Sequence, residues 1–233
     1  MDLAAASASY GATRARVETY FDRTATDVWA RLTSDAPVSG IRATVRAGRD
    51  AMRAQLLARL PMDLSGALIL DAGCGTGALA VELAARGADV VAADISPALV
   101  AIARARCPEA LAPRIDFRAG DMLDPALGRF DHAVAMDSLI YYAAPDIARI
   151  LGALAPRLAA SMLLTVAPRT PLLMAMWRLG KLLPRADRAP AMVPHDPARL
   201  ARALRDAGVP GRLVPLERIH SGFYISTALE WRP

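Results

Sequence analysis

The segment "LDAGCGTGAL", Leu70 to Leu79, places Asp71 two positions before the first of three closely spaced glycines, Gly73, Gly75 and Gly77. Gly73, Gly75 and Ala78 satisfy the pyrophosphate-loop pattern G-x-G-x-x-[GA]. A pyrophosphate is anionic and rests on backbone N–H groups at a helix start, where a carboxylate at Asp71 would repel it. A phosphate-free ligand with positive charge suits this loop better. S-adenosylmethionine is such a ligand, with a sulfonium and an ammonium at its methionine end. Glycines then let the main chain approach the ligand without a Cβ in the way. Two further acids fit the same molecule. Asp94 ends the next apolar run, about 20 residues past the loop, where a carboxylate can accept from a ribose diol; dinucleotide enzymes share this feature. Asp121 in "RAGDMLD" can accept from the adenine amino group, and Met122 beside it supplies an apolar face for the ring.

Repeated strand–helix units are what would hold such residues at one edge. "ALILDA", "DVVAADI", "RIDFRA", "FDHAVAMD" and "SMLLTVA" read as five strands, alternating with the helical runs "GALAVELAARG", "SPALVAIARARC" and "PDIARILGALAPRL". Ser96 and Pro97 provide an N-cap and a first-turn proline. The pattern predicts a doubly wound α/β sheet, and α/β sheets bind ligands at the carboxyl ends of their strands. After Ala167 the rhythm changes. A proline-bounded segment, about 168–195, holds the apolar run "LLMAMWRLGKLL" and reads as an inserted helical lid. "DPARLARALRDAGV" resumes as a helix, and "GRLVPLERIHSGFYISTALEW" reads as two antiparallel strands joined near Ser221 and Gly222. Residues 1–60 form a helical N-terminal arm whose alanine-rich first 16 residues are expected to be a disordered tip. Residues 61–233 form the main domain.

Composition narrows the partners. The chain has 233 residues, 54% of them hydrophobic, enough for one sizeable core. Its net charge of +5 is scattered arginine, with Lys181 the only lysine, and aromatics make up 5%, so no nucleic-acid platform is expected. Cys74 and Cys107 lack the spacing of a disulfide framework or a zinc site, which suggests a reducing, cytoplasmic setting. No apolar run reaches the roughly 18 residues of a membrane span.

Taken in order, "LDAGCGTGAL", "AADIS", "AGDMLD" and "FDHAVAMDSL" resemble the successive signatures of class I S-adenosylmethionine-dependent methyltransferases, over about residues 66–167. The flanks add to this. "VETYFDRTATDVWARL", "IRATVRAGRDAM", "MDSLIYY", "LLTVAPRTPLL" and "FYISTALE" resemble the magnesium protoporphyrin IX O-methyltransferase family of bacteriochlorophyll biosynthesis over nearly the whole chain. The resemblance implies a Rossmann-like methyltransferase fold: a mostly parallel seven-stranded sheet with an antiparallel C-terminal strand. It implies S-adenosylmethionine as cofactor, S-adenosylhomocysteine as product, and Asp71, Gly73, Gly75, Gly77, Asp94, Ile95, Asp121, Met122 and Asp137 as cofactor residues. The acceptor it implies is a propionate carboxylate of magnesium protoporphyrin IX, with magnesium carried by the substrate and no protein-bound metal. Tyr141 and Tyr142 are then the catalytic candidates, where the sequence departs from relatives that tend to have histidine at the first position. Arg42, Arg46 and Arg169 are candidates to fix propionates, and Tyr20 and Trp29 to cover the ring. His195 and His220 are weaker candidates for an axial magnesium contact. By the same resemblance the partner is the large porphyrin-binding subunit of magnesium chelatase; the composition of the insertion, Met, Trp and Leu among basic residues, suits peripheral contact with the photosynthetic inner membrane, reception of a flat apolar substrate or docking of a partner. Two other readings compete: methyl transfer to another small molecule such as a quinone precursor, and an inactive binding module of the same fold.

Overall fold

The computed structural model describes residues 3–24, 26, 31, 33, 40–170, 174 and 190–233. Seven strands, β1 (Leu68–Ala72), β2 (Asp89–Asp94), β3 (Ile115–Ala119), β4 (Phe130–Ala135), β5 (Leu158–Val166), β6 (Arg212–Ser221) and β7 (Tyr224–Arg232), form one sheet in the order 3-2-1-4-5-7-6. β7 runs antiparallel to both its neighbours, β5 and β6, and the other pairings are parallel. The expected strands and the antiparallel hairpin are therefore present. The described helices are α1 (Leu3–Thr19), α2 (Gly40–Leu57), α3 (Ala78–Ala85), α4 (Pro97–Arg106), α5 (Ala144–Leu154) and α6 (Pro197–Asp206), and a π-helical turn, Tyr20–Thr24, follows α1.

Both faces of the central strands are covered, which is why their sequences are near-continuous apolar runs. Successive residues alternate between two cores. Ile69, Val134 and Leu163 face one core with Met52 and Leu56 of α2, Leu83 of α3 and Val100 of α4. Leu70, Ala133 and Leu164 face the other with Ile147 and Leu151 of α5 and Leu200 of α6. Strand order reverses between β1 and β4, so the crevice opens at their carboxyl ends. Ser96 caps α4 by accepting from the Leu99 N–H at 3.2 Å, with Pro97 in the first turn.

The N-terminus departs from expectation. In place of a disordered tip the chain forms α1 from Leu3, with Tyr10 and Val17 buried. Alanine favours the helix, and Tyr10, Arg14, Val17 and Phe21, spaced by four, three and four, put one stripe against the domain. Most of the inserted segment, 171–173 and 175–189, lies outside the described residues, and so does the lid expected there. Its base is described: Pro168 and His195 form a bridge, and the His195 N–H donates to the Ala167 carbonyl at 2.7 Å.

Trp231 on β7 is 1% exposed in the second core, and its indole N–H donates to the Pro210 carbonyl at 3.1 Å. Trp231→Ala should lower unfolding stability by about 3–5 kcal/mol, read from denaturant midpoints.

Candidate functional site

A cleft of about 340 Å³ opens at the carboxyl ends of the central strands. The glycine loop after β1 forms its floor. The Gly73 and Cys74 N–H groups both donate to the Ala93 carbonyl on β2, at 2.8 and 3.1 Å, which folds the loop back over the sheet. Gly73 has φ +91°, and a Cβ there would lie 2.3 Å from that of Ser138, so this position requires glycine. Asp94 holds the next turn: its carboxylate accepts from the Gly75 N–H at 2.8 Å and the Ser96 N–H at 2.9 Å. Burial still pushes the Asp94 pKa upward, against those bonds.

Asp71 is 1% exposed at the end of β1 and lines the cleft, and its Oδ2 is buried with no hydrogen-bond partner. Desolvation, with a smaller contribution from the Asp94 charge, pushes its pKa up to about 7. An orphaned carboxylate oxygen beside two further acids, Asp94 and Asp121, fits a cation and disfavours a phosphate. The residues present thus suit the sulfonium and ammonium of S-adenosylmethionine.

Asp121, Met122 and Ile95 also line the cleft. Asp121 is engaged by α1: the Tyr10 hydroxyl donates to its Oδ1 at 2.5 Å and Arg14 Nη1 to its Oδ2 at 2.7 Å. Tyr10 also stacks on Tyr142, with centroids 5.4 Å apart. The alanine-rich terminus, read from sequence as a disordered tip, is one wall of the site. Sequence reasoning passed over Tyr10 and Arg14, although their helical spacing with Val17 and Phe21 was a usable signal. Gly77 stands at the start of α3, facing Ala103 and Phe117, outside the cleft lining.

On the acceptor side, Tyr141 and Tyr142 line the cleft after β4. Burial, chiefly, pushes both phenols well above their usual pKa, so they are neutral hydrogen-bond donors at physiological pH. Phe21 sets its ring edge on Tyr141 at 6.1 Å, and Tyr20 packs against Phe21 at 5.1 Å behind the lining. Trp29 lies outside the described residues. Of the three arginines picked from sequence, Arg46 lines the cleft. Arg42 is exposed one turn earlier on α2, and Arg169 sits at the base of the insertion, its N–H donating to the His195 carbonyl at 3.1 Å. The structure brings Arg49 and Arg53 to the wall as well. Positions 46, 49 and 53 share one helical face, a pattern visible in "VRAGRDAMR", residues 45–53. Asp137 lines the cleft, but its carboxylate is bonded by Arg49, Thr165 and Tyr224. His195 is buried, and its Nε2 meets the Tyr142 carbonyl oxygen at 2.9 Å, so it braces the Tyr141–Tyr142 turn. His220 lies on β6, paired with Ile225, outside the cleft lining.

The Asp71 environment sets a pH dependence. A cationic ligand needs the ionised carboxylate, so below about pH 7 its binding must expel a proton. Affinity for S-adenosylhomocysteine, which retains the ammonium, should rise by up to about tenfold per pH unit toward neutrality and level off above about pH 7. In Asp71→Asn it should be weaker and lose this slope, as measured by calorimetry across the pH range.

Comparison with known proteins agrees with this geometry. A family model described as the C-terminus of magnesium-protoporphyrin IX methyltransferase matches residues 135–233, and one for a methyltransferase domain matches residues 69–160. The chain is 56% identical to the magnesium-protoporphyrin O-methyltransferase of Rhodobacter capsulatus, covering 96% of this chain and 98% of that one. It is 32% identical to the chloroplastic magnesium protoporphyrin IX methyltransferase of Arabidopsis thaliana, over 82% of this chain and 63% of that one. A crystal structure of magnesium protoporphyrin IX methyltransferase from Synechocystis PCC 6803 with bound S-adenosylhomocysteine superposes with a TM-score of 0.76 at 30% identity, covering 93% of this chain and 97% of that one. With the cofactor cleft and the C-terminal hairpin both accounted for, the chain belongs to the magnesium protoporphyrin IX O-methyltransferases, within the class I S-adenosylmethionine-dependent fold.

Proposed function

We propose that this protein transfers a methyl group from S-adenosylmethionine to one propionate carboxylate of magnesium protoporphyrin IX, giving the monomethyl ester in bacteriochlorophyll biosynthesis. The observation that carries the reading is the 56% identity to the Rhodobacter capsulatus enzyme along the whole chain, joined to a cleft whose buried acid, Asp71, calls for a cation. Bound there, S-adenosylmethionine supplies the methyl group and a sulfonium leaving group. Asp71 faces the charged methionine end, Asp94 and Ile95 the ribose, and Asp121 with Met122 the adenine. Tyr10 and Arg14 close over Asp121 from the arm.

No proton has to move. A propionic acid resembles a glutamate side chain, with a pKa of about 4.3, and is already ionised at neutral pH. A carboxylate oxygen attacks the methyl carbon, the carbon–sulfur bond breaks, and its electron pair stays on sulfur. What remains for the protein is alignment, which can contribute roughly 7–11 kcal/mol. Tyr141 and Tyr142 suit this role as hydrogen-bond donors that orient a carboxylate, and the arginine face of α2 suits its charge. A hydroxyl acceptor such as a quinone precursor would ask for a base. Among the described residues that line the cleft there is no histidine, and both tyrosines are held protonated, which favours the carboxylate.

The substrate is a flat, apolar ring handed on from metal insertion. We place the enzyme in the cytoplasm beside the large porphyrin-binding subunit of magnesium chelatase, in peripheral contact with the photosynthetic membrane. Residues 171–188 support this by composition, combining Met, Trp and Leu with four basic residues against one acid. Among the described residues no helix is long and apolar enough to cross a membrane.

Incubation of the protein with S-adenosylmethionine and magnesium protoporphyrin IX should yield the monomethyl ester, resolved by chromatography, and Asp71→Ala should reduce kcat/KM at least about a hundredfold. A wild-type protein that binds S-adenosylhomocysteine and makes no ester would overturn the acceptor assignment.

A further inference from the structure

One constellation in the cleft joins three elements at a single carboxylate, Asp137. Arg49 of α2 places its Nη1 2.5 Å from Oδ2 of Asp137, just past the end of β4. Asp137 has φ +58°, and among the described residues it is the one non-glycine with positive φ. Such a backbone is unfavourable for a residue with a Cβ and persists where the surroundings over-determine it. Here three elements do so. The Asp137 N–H donates to Thr165 Oγ1 on β5 at 2.8 Å, the Tyr224 hydroxyl at the start of β7 donates to Oδ1 at 3.0 Å, and Arg49 arrives from α2. The neighbouring Gly48 lets the helix come this close, since a Cβ there would lie 2.6 Å from Cδ1 of Tyr224. Asp137 and Arg49 are 7% and 17% exposed, and both line the cleft with Tyr141. The phenol of Tyr141 feels both charges.

We propose that Arg49 is the guanidinium that receives the acceptor carboxylate, with Asp137 and Tyr224 as positioning residues that set its place and moderate its charge; this rests on the functional reading above. The physical case is one of balance. The nucleophile is an anion that loses its charge as the ester forms, so a full, unshared cation would stabilise the ground state more than the transition state and slow the reaction. An arginine already paired with a carboxylate still offers oriented N–H donors, but with little net charge. It orients the propionate without trapping it, and it lets the neutral ester leave. Tyr224 belongs to "FYISTALE" and Arg49 to "IRATVRAGRDAM", so two flanking segments far apart in sequence meet at one carboxylate.

The test is a cycle between protein and ligand. Magnesium protoporphyrin IX and a magnesium octaalkylporphyrin, the same kind of ring without carboxylates, are titrated by absorbance into wild-type, Arg49→Gln, Asp137→Asn and Tyr224→Phe proteins, each saturated with S-adenosylhomocysteine. Arg49→Gln should weaken the dicarboxylate ring at least about tenfold and the octaalkyl ring less than about twofold. Asp137→Asn keeps an oxygen toward Arg49 but removes the opposing charge, so it should lower both KM for the acceptor and kcat. Tyr224→Phe, the mildest change, should raise acceptor KM a few-fold and leave S-adenosylhomocysteine affinity as it was. Equal weakening of both rings by Arg49→Gln, or none, overturns the proposal, as does a rise in KM for Asp137→Asn. Should Arg49→Gln fail to bind S-adenosylhomocysteine, the other two variants decide. A wild-type protein that prefers the dicarboxylate ring yet forms no ester defeats the functional reading alone, whereas one that binds neither ring defeats both.

Discussion

Burial of the Asp71 carboxylate at the end of β1 shapes everything around it. The group is buried at the cleft floor, one oxygen has no partner, and desolvation pushes its pKa up to about 7. A fold keeps an unfavourable acid of this kind only where something else satisfies it, and a cation suits that place. The glycine loop, the Asp94 clamp on that loop and the reversal of strand order beside β1 all open the cleft beside this acid. An anionic pyrophosphate would meet a repulsive floor on the same backbone.

The reaction asks little acid–base work of the protein, and the cleft reflects this. Tyr141 and Tyr142 are held protonated, and His195, outside the cleft lining, is turned to a backbone carbonyl. Arg46, Arg49 and Arg53 line one wall of the cleft from one face of α2. The adjoining flank of that helix, through Met52 and Leu56, is anchored in the core. A single amphipathic helix thereby brings these arginines to the cleft on a rigid support, which suits a mechanism that depends on alignment.

The N-terminal arm shows how a sequence can be misread. An alanine-rich start with few large side chains resembles a soft tip when judged by composition. Its helical spacing of Tyr10, Arg14, Val17 and Phe21 carries the opposite message, and those residues reach Asp121 and the cleft. The arginines of α2 show a related limit. Arg42, Arg46 and Arg49 are equivalent in type and all lie within two turns of one helix, so residue type cannot rank them. Depth along the helix, set by where α2 docks on β6 and β7, leaves Arg42 exposed and puts Arg46 and Arg49 at the cleft.

By itself the sequence determined the alternation of strands and helices, the antiparallel hairpin, and the acid-plus-glycine loop with its two downstream acids. These features are local: periodicity records which face of an element is apolar, and a loop's glycines record where the backbone must turn. Tertiary structure alone decided which side chains share a carboxylate. Tyr10 meets Asp121 across 111 positions, Arg49 meets Asp137 across 88, and Tyr224 meets Asp137 across 87. No local pattern encodes such pairings, because they depend on how whole elements dock once both faces of the sheet have been buried.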